Sequence, residues 1–267
     1  MAPQLLIYEN AVPINKKRHA AYSIKAGNDY SFAKTANSVP LTTVEFSRAA
    51  SEFPIIFAGK ENEIMPVAVL GLRENENLFV DGQGNWSASY IPTFLRRYPF
   101  VFSSTDEGKT LTLCIDESFK GCNRDGRGER LFDSDGEQTQ YLKAVLTFLQ
   151  GYQAHFGITQ AFCKKLNELD LLEQMGAQYT NADGQQQSLT GFMAVNRNKL
   201  KALPDETLLA MMKSDELEIL YLHLQSMNNF SKFAPLMSAE KNGGEKESPV
   251  EETLEAVIVE DEGKRLN

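Results

Sequence analysis

The residues best suited to binding an anion or a peptide lie between positions 86 and 98. Trp86 is the single tryptophan of the chain, and Tyr90, Arg96, Arg97 and Tyr98 follow it. Guanidinium groups bind carboxylates and phosphates through two parallel hydrogen bonds, and aromatic rings cover the apolar part of a ligand. These five residues are the candidate ligand- or partner-binding site. The structural alternative is that Trp86 covers a sheet end while the arginines pair with surface acids.

A small-ligand site or an enzyme active site would need further groups brought in by the fold. Asp116 and His155 are the candidates, and they could join Trp86, Arg96 and Arg97 in space. No sequence motif links these positions. The sequence therefore keeps this arrangement as an alternative to partner binding.

The acidic and glycine-rich segments complete no metal or phosphate motif. A calcium loop needs oxygen ligands at alternating positions, whereas Arg127 and Arg130 interrupt the acids of segment 125–135. The glycine pairs complete neither GxGxxG nor GxxxxGK[ST], so phosphate binding lacks support. We therefore expect no metal and no cofactor, and no catalytic residue is assigned.

The histidines and cysteines are widely spaced: His19, His155 and His223, and Cys114, Cys122 and Cys163. They form no HxxxH pair and no CxxC pair. A nucleophilic triad that uses Cys114 or Cys163 is an alternative, because triads assemble in space. The favoured interpretation is that Cys114 and Cys163 are buried, apolar thiols. We expect His19, within the basic cluster 16–19, to be exposed, and His223 to lie at the boundary of a helix's apolar face.

Composition restricts the classes of partner and the compartment. The net charge is −9 and the pI is about 5.0, which argues against nucleic-acid binding, because that needs clustered lysines and arginines. There is no apolar run of the roughly 18 residues that a membrane helix needs. The start, MAPQLLIYEN, lacks the basic region of a signal peptide. These features predict a cytoplasmic protein without membrane insertion.

The elements that would position the candidate residues are short strands and helices. Apolar runs predict strands at 53–58, 67–72, 78–80, 99–102 and 111–115, the second and third joined as a hairpin. A short helix before the fourth strand would carry both arginines largely on its polar side. Because the links are short, we expect an α+β fold, a mostly antiparallel sheet with helices packed on it.

The sequence of the second half of the chain predicts longer secondary-structure elements. Ser134 or Asp135 is the expected N-cap of a helix whose apolar stripe runs to Tyr152. A second helix is expected over 159–173, and Gly157 between them indicates a helical hairpin. The Asp-Gly turn at 183–184 predicts a β-hairpin.

The last part of the chain differs in composition from the rest. Residues 1–238 are predicted to form a single domain, and residues 239–267 an acidic, disordered tail. From Ala239 onward nine acidic residues accompany four basic ones. Within this tail the segment 254–259 is apolar and β-prone, and Leu254, Val257, Ile258 and Val259 are its candidate docking residues. The segment either adds to a sheet edge, in its own chain or in a partner's, or belongs to the disordered tail.

Several stretches together resemble the SapC-like proteins, a bacterial family named from a surface-layer gene neighbourhood. The resemblance rests on FPIIFAG (53–59), PVAVLGLRENENLFVDGQGNW (66–86), YIPTFLRRYPFVF (90–102), LCIDE (113–117), RLFDSDGE (130–137) and ELEILYLHLQSM (216–227). It implies no catalytic residues. It implies an accessory role beside surface-layer proteins or outer-membrane receptor and uptake systems.

The leading hypothesis is a non-enzymatic cytoplasmic accessory protein that binds a partner protein or peptide. A homo-oligomer is compatible with it. The alternative is a small-ligand-binding protein or an enzyme with a spatially assembled site near Trp86, Arg96 and Arg97.

Overall fold

The computed structural model describes residues 6–104, 110–180, 186–233, 236–237 and 255–258. In this part of the chain all paired strands are antiparallel, and helices pack on the sheets. The predicted α+β fold is confirmed. The predicted tail, 239–267, lies outside the described residues except for 255–258.

The described strands are β1 (Ala11–Pro13), β2 (Ser23–Ile24), β3 (Ser38–Pro40), β4 (Ile55–Ala58), β5 (Met65–Val69), β6 (Phe100–Ser103), β7 (Thr112–Asp116), β8 (Cys122–Asn123), β9 (Glu129–Arg130), β10 (Leu172–Thr180), β11 (Gln186–Val195) and β12 (Glu255–Ile258). The described α-helices are α1 (Lys16–His19), α2 (Phe46–Ala49), α3 (Thr93–Arg96), α4 (Gln140–Glu168), α5 (Arg197–Lys201), α6 (Asp205–Lys213) and α7 (Glu216–Ser226).

Three sheets organise these strands. The largest has the order β12-β10-β11-β4-β5-β3, and the two smaller sheets have the orders β1-β7-β6 and β8-β2-β9. β4 lies in the middle of the large sheet, where Ile55, Ile56 and Phe57 are all buried. The prediction of a strand buried on both faces is therefore confirmed, because an unbroken apolar run suits this position.

Two predicted hairpins have different outcomes. β10 and β11 pair antiparallel as expected, and their turn, 181–185, lies outside the described residues. The predicted hairpin of 67–72 with 78–80 is wrong, since β5 instead pairs with β3 and β4. Leu78 donates one backbone hydrogen bond to Leu70, and Val80 forms an isolated bridge with Trp86.

α4 is one helix of 29 residues, so the predicted helical hairpin is wrong. Gly157 lies inside it, where a glycine costs only about 1 kcal/mol relative to alanine. Burial of Phe156 and Phe162 on either side outweighs that cost. The N-cap is Thr139 rather than Ser134 or Asp135, and its hydroxyl accepts the N–H of Leu142.

α4 also connects the apolar clusters of the molecule. Leu142 and Leu149 belong to a cluster with β6 and β7, whereas Phe162 and Leu166 belong to a second cluster with α6 and α7. A third and larger cluster fills the space under β3, β4 and β5. That residues 1–238 form one domain stays a prediction.

Candidate functional site

The two adjacent arginines lie in opposite environments. Arg96 is exposed, but Arg97 is buried with 3% of its surface accessible. The expectation that both occupy the polar side of the helix is therefore wrong for Arg97. Its guanidinium carbon lies 4.2 Å from the ring centroid of Phe94, 5.1 Å from Tyr152 and 5.6 Å from Tyr8. Aromatic faces attract a desolvated cation, which offsets part of the cost of burying this charge.

Arg96 uses its guanidinium close to its own position. Its Nε donates to the carbonyl of Ile91 over 3.1 Å, and its Nη2 donates to Oγ1 of Thr93 over 2.7 Å. The guanidinium also lies 5.8 Å from the ring centroid of Tyr90. Arg96 thus stabilises the turn that enters α3 while it remains accessible to a ligand.

Trp86 packs against the large cluster. Its indole lies 5.9 Å from Phe79 and 5.9 Å from Tyr30, and Nε1 donates to the carbonyl of Tyr90 over 2.9 Å. The side chain is half-buried, and its polar atom is used inside the chain. This geometry favours the structural alternative for Trp86.

Sequence reasoning missed Glu45, a carboxylate with 4% of its surface exposed. Oε1 accepts hydrogen bonds from the Tyr90 hydroxyl and the Thr93 N–H, each at 2.7 Å, and Oε2 accepts two from Thr42 at 2.8 Å. Burial, followed by the charge of Glu45, raises the pKa of Tyr90 to about 12. The Thr-x-x-Glu capping-box pattern at 42–45 was the available signal.

Asp116 is fully buried and holds several segments together. Its carboxylate accepts the backbone N–H groups of Glu9 at 2.8 Å, Asn10 at 3.1 Å and Ser118 at 2.9 Å. Burial first, and then the negative charge of Asp116, raise the pKa of the Tyr98 phenol. Asp116 therefore positions the residues around Tyr98.

A cleft of about 460 Å³, here called the Tyr98 cleft, opens between two segments. Residues 25–32 supply one lip, and residues 118–121 supply the other. Tyr98 stacks on Phe32 of the first lip and meets Phe119 of the second edge-on. Of the five predicted site residues, only Tyr98 lines this cleft. The second lip lacks regular secondary structure, and the first runs into a 3₁₀ helix of only three residues, Ser31–Ala33, so no periodic pattern could have identified them.

The alternative site of Trp86, Arg96, Arg97, Asp116 and His155 combines different environments. Asp116 and Arg97 are buried, whereas Arg96 and His155 are exposed. None of the five lines the Tyr98 cleft.

The two other histidines are buried, so both expectations for them are wrong. His19 has its Nε2 3.2 Å from Oε1 of Glu117, a carboxylate that also binds Arg18. His223 is enclosed between α7 and the large sheet, where its Nδ1 lies 2.8 Å from the carbonyl oxygen of Ile55. The sequence pattern of α7 alone cannot show that a sheet covers this side of the helix.

Comparison with known protein families shows which family the chain belongs to. The SapC family model matches residues 14–233. The chain belongs to the SapC family. The matched range contains both lips of the Tyr98 cleft, Tyr98 itself and strands β10 and β11, and β12 lies beyond it. No curated protein and no solved structure matches the chain.

In this SapC-family chain the apolar tail segment forms a strand. β12 pairs antiparallel with β10, with Ile258 opposite Met175 and Val257 opposite Gly176. Leu254 and Val259 lie outside the described residues. Of the arrangements that the sequence left open, the structure contains addition to a sheet edge of the same chain.

Two further observations describe this family member. Within the ranges that the structure describes, no group of three or more His, Cys, Asp or Glu residues could hold a metal ion. No helix in the described part of the chain has the length and apolar character to cross a lipid bilayer.

Proposed function

We propose that this SapC-family protein is a non-enzymatic accessory protein that binds an extended segment of a partner protein at the edge of β10. The pairing of β12 with β10 carries the proposal, because it provides an example of the segment that this edge accepts. Strand addition supplies affinity through backbone hydrogen bonds and specificity through alternate side chains. The partner segment would be extended, and it would resemble residues 254–262 in composition, with β-branched residues flanked by acids.

β10 is well placed to act as a template for an added strand. It is nine residues long, and within the described residues β12 pairs with it only from Met175 to Gln178. On its other side it pairs with β11 along most of its length. Leu172 and Met175 pack against two different apolar clusters, which fixes the strand. A longer partner segment could therefore pair with more of β10 than β12 does.

The polar groups best suited to chemistry are used within the chain. Glu45 and Asp116 accept several hydrogen bonds each, and the indole N–H of Trp86 donates to a backbone carbonyl. This supports a binding role over an enzymatic one. The free cysteines are consistent with a reducing cytoplasm, and the family resemblance suggests a partner in surface-layer or outer-membrane receptor and uptake systems.

The test frees the edge of β10 by disrupting β12 in the full-length chain. Val257→Pro removes a backbone donor from β12, and Glu262→Pro, four positions beyond Ile258 in the sequence, is the matched control. A fluorescein-labelled peptide with the sequence TLEAVIVE, residues 253–260, represents the partner segment. Fluorescence anisotropy should show that Val257→Pro binds it about tenfold more tightly than the wild type or Glu262→Pro, because tethered β12 competes at about millimolar effective concentration.

Two results would reject the proposal. One is equal affinity of the three proteins for the peptide. The other is equal binding of a scrambled peptide of the same composition, which would show that no ordered strand is formed.

A further inference from the structure

The Tyr98 cleft has the size of a small-molecule site and lies outside the β10 edge. Its volume of about 460 Å³ falls within the roughly 300–1,000 Å³ of ligand pockets. Its lips come from two regions far apart in the sequence, 25–32 and 118–121. The backbone N–H of Lys25 donates to the carbonyl of Gly121 over 3.0 Å and joins the lips.

Aromatic side chains line both sides of this cleft. The Phe32 and Tyr98 rings stack with centroids 4.0 Å apart and an interplanar angle of 19°, and Phe119 meets Tyr98 edge-on at 5.4 Å. All three are only partly buried, so each presents apolar surface to the cleft. A planar ring inserted here would remove that surface from water and add aromatic contacts.

Close packing holds the lips in place before any ligand binds. A Cβ on Gly121 would lie 2.3 Å from the Phe119 ring and 2.3 Å from the carbonyl oxygen of Lys25, so only glycine allows this approach. The first lip is held by the turn before Trp86, where the N–H of Tyr30 donates to the carbonyl of Gly84 over 2.7 Å. Preorganised lips reduce the entropic cost of binding.

The charges around the cleft favour one negative group on the ligand. Lys25, Lys120 and Arg127 line it together with Glu9 and Asp29. Asp29 lies 3.2 Å from Lys120 in an exposed ion pair that leaves the ammonium accessible, and hydrogen bonds from Ser31 lower the pKa of Asp29. Arg127 is paired with Asp125 at 3.2 Å. Among the residues that the structure describes, the Lys25 ammonium has no ion pair or side-chain hydrogen bond.

From these contacts we infer that the Tyr98 cleft binds a small aromatic carboxylate. The ring lies against Phe32 and Phe119, and the carboxylate lies toward Lys25 and Lys120. Glu9 disfavours a second negative charge. In this arrangement the turn before Trp86 contributes to the site, because it positions the lip that carries Phe32. This inference does not rest on the proposed function.

The probes are 1-naphthylacetate and its neutral isostere 1-naphthylacetamide, titrated calorimetrically into the full-length protein. The carboxylate should bind about fivefold more tightly than the amide at low salt, and added salt should reduce the difference. Lys25→Met combined with Lys120→Met should weaken carboxylate binding to the level of the amide. Lys34→Met combined with Lys60→Met makes the same charge change at exposed positions outside the cleft and should leave binding unchanged.

A second variant tests the aromatic contact. Phe119→Leu should weaken both probes by about threefold, because it removes ring stacking without removing charge. Val257→Pro should bind 1-naphthylacetate as the wild type does, which separates this site from the β10 edge. Equal affinity for the two probes, no heat up to about 10 mM probe, or an equal loss in the Lys34/Lys60 control would overturn the inference. Circular dichroism confirms that each variant is folded.

Discussion

The backbone N–H of Val195 donates a hydrogen bond to Nε2 of His223 over 3.0 Å. The other ring nitrogen, Nδ1, donates to the carbonyl of Ile55 over 2.8 Å. Val195 ends β11 and Ile55 begins β4, so the imidazole joins two neighbouring strands of the large sheet. Both contacts require a neutral ring with its proton on Nδ1, because Nε2 has to accept.

This arrangement predicts a loss of stability in mild acid. Burial lowers the pKa of His223 from 6.5 to about 4. As the pH falls, the unfolded chain therefore binds a proton before the folded chain does, and the free energy of unfolding decreases between pH 6.5 and 4. Between pH 7.5 and 5 the histidine should contribute a loss of about 2 kcal/mol.

Urea unfolding at the two pH values measures this loss. His223→Gln removes the titrating group and should lose about 2 kcal/mol less than the wild type over the same interval. His155→Gln, on the exposed side of α4, should keep the wild-type difference. Identical pH dependence in wild type and His223→Gln would contradict the assignment.

Arg97 and Arg96 form a matched pair for substitution by methionine. Arg97→Met removes a buried cation from a cage of three rings and should lower the free energy of unfolding by about 3 kcal/mol. Arg96→Met changes an exposed side chain and should stay within about 0.5 kcal/mol. Equal effects in thermal or urea unfolding would show that Arg97 is not buried in this way.

Glu45→Gln tests the buried carboxylate. All four of its hydrogen-bond partners are donors, and the amide NH2 of glutamine cannot accept from them. We expect a loss of about 2 kcal/mol in the free energy of unfolding, because buried donors are left without an acceptor. Glu74→Gln, at an exposed position, makes the same change and should have little effect. An unchanged free energy of unfolding in Glu45→Gln would argue against this hydrogen-bond network.

Gly157→Ala distinguishes one continuous helix from a helical hairpin. In α4 the added Cβ meets no atom within 4 Å, so alanine should stabilise the protein by about 0.5–1 kcal/mol. In a hairpin turn with glycine in the left-handed region, alanine would destabilise it by a similar amount. The direction of the change in melting temperature therefore decides between the two structures.

Local patterns allowed part of this architecture to be predicted. Patterns of a few residues predicted the buried strand β4 and the antiparallel pairing of β10 with β11, and both are present in the structure. The position of Arg97 could not be predicted, because Tyr8 and Tyr152, which enclose it, lie far away in the sequence. The Tyr98 cleft was missed for the same reason, since its lips meet only in three dimensions.

The length of α4 has a consequence for how the molecule opens. Side chains near its start pack with β6 and β7, and side chains near its end pack with α6 and α7. If the side chains of one cluster unpack, α4 loses part of the packing that holds it in place. Its contacts with the other cluster are then weakened as well. We therefore expect α4 to couple the two clusters into one cooperative unit, so that the amide protons in the middle of α4 exchange with solvent only through global unfolding.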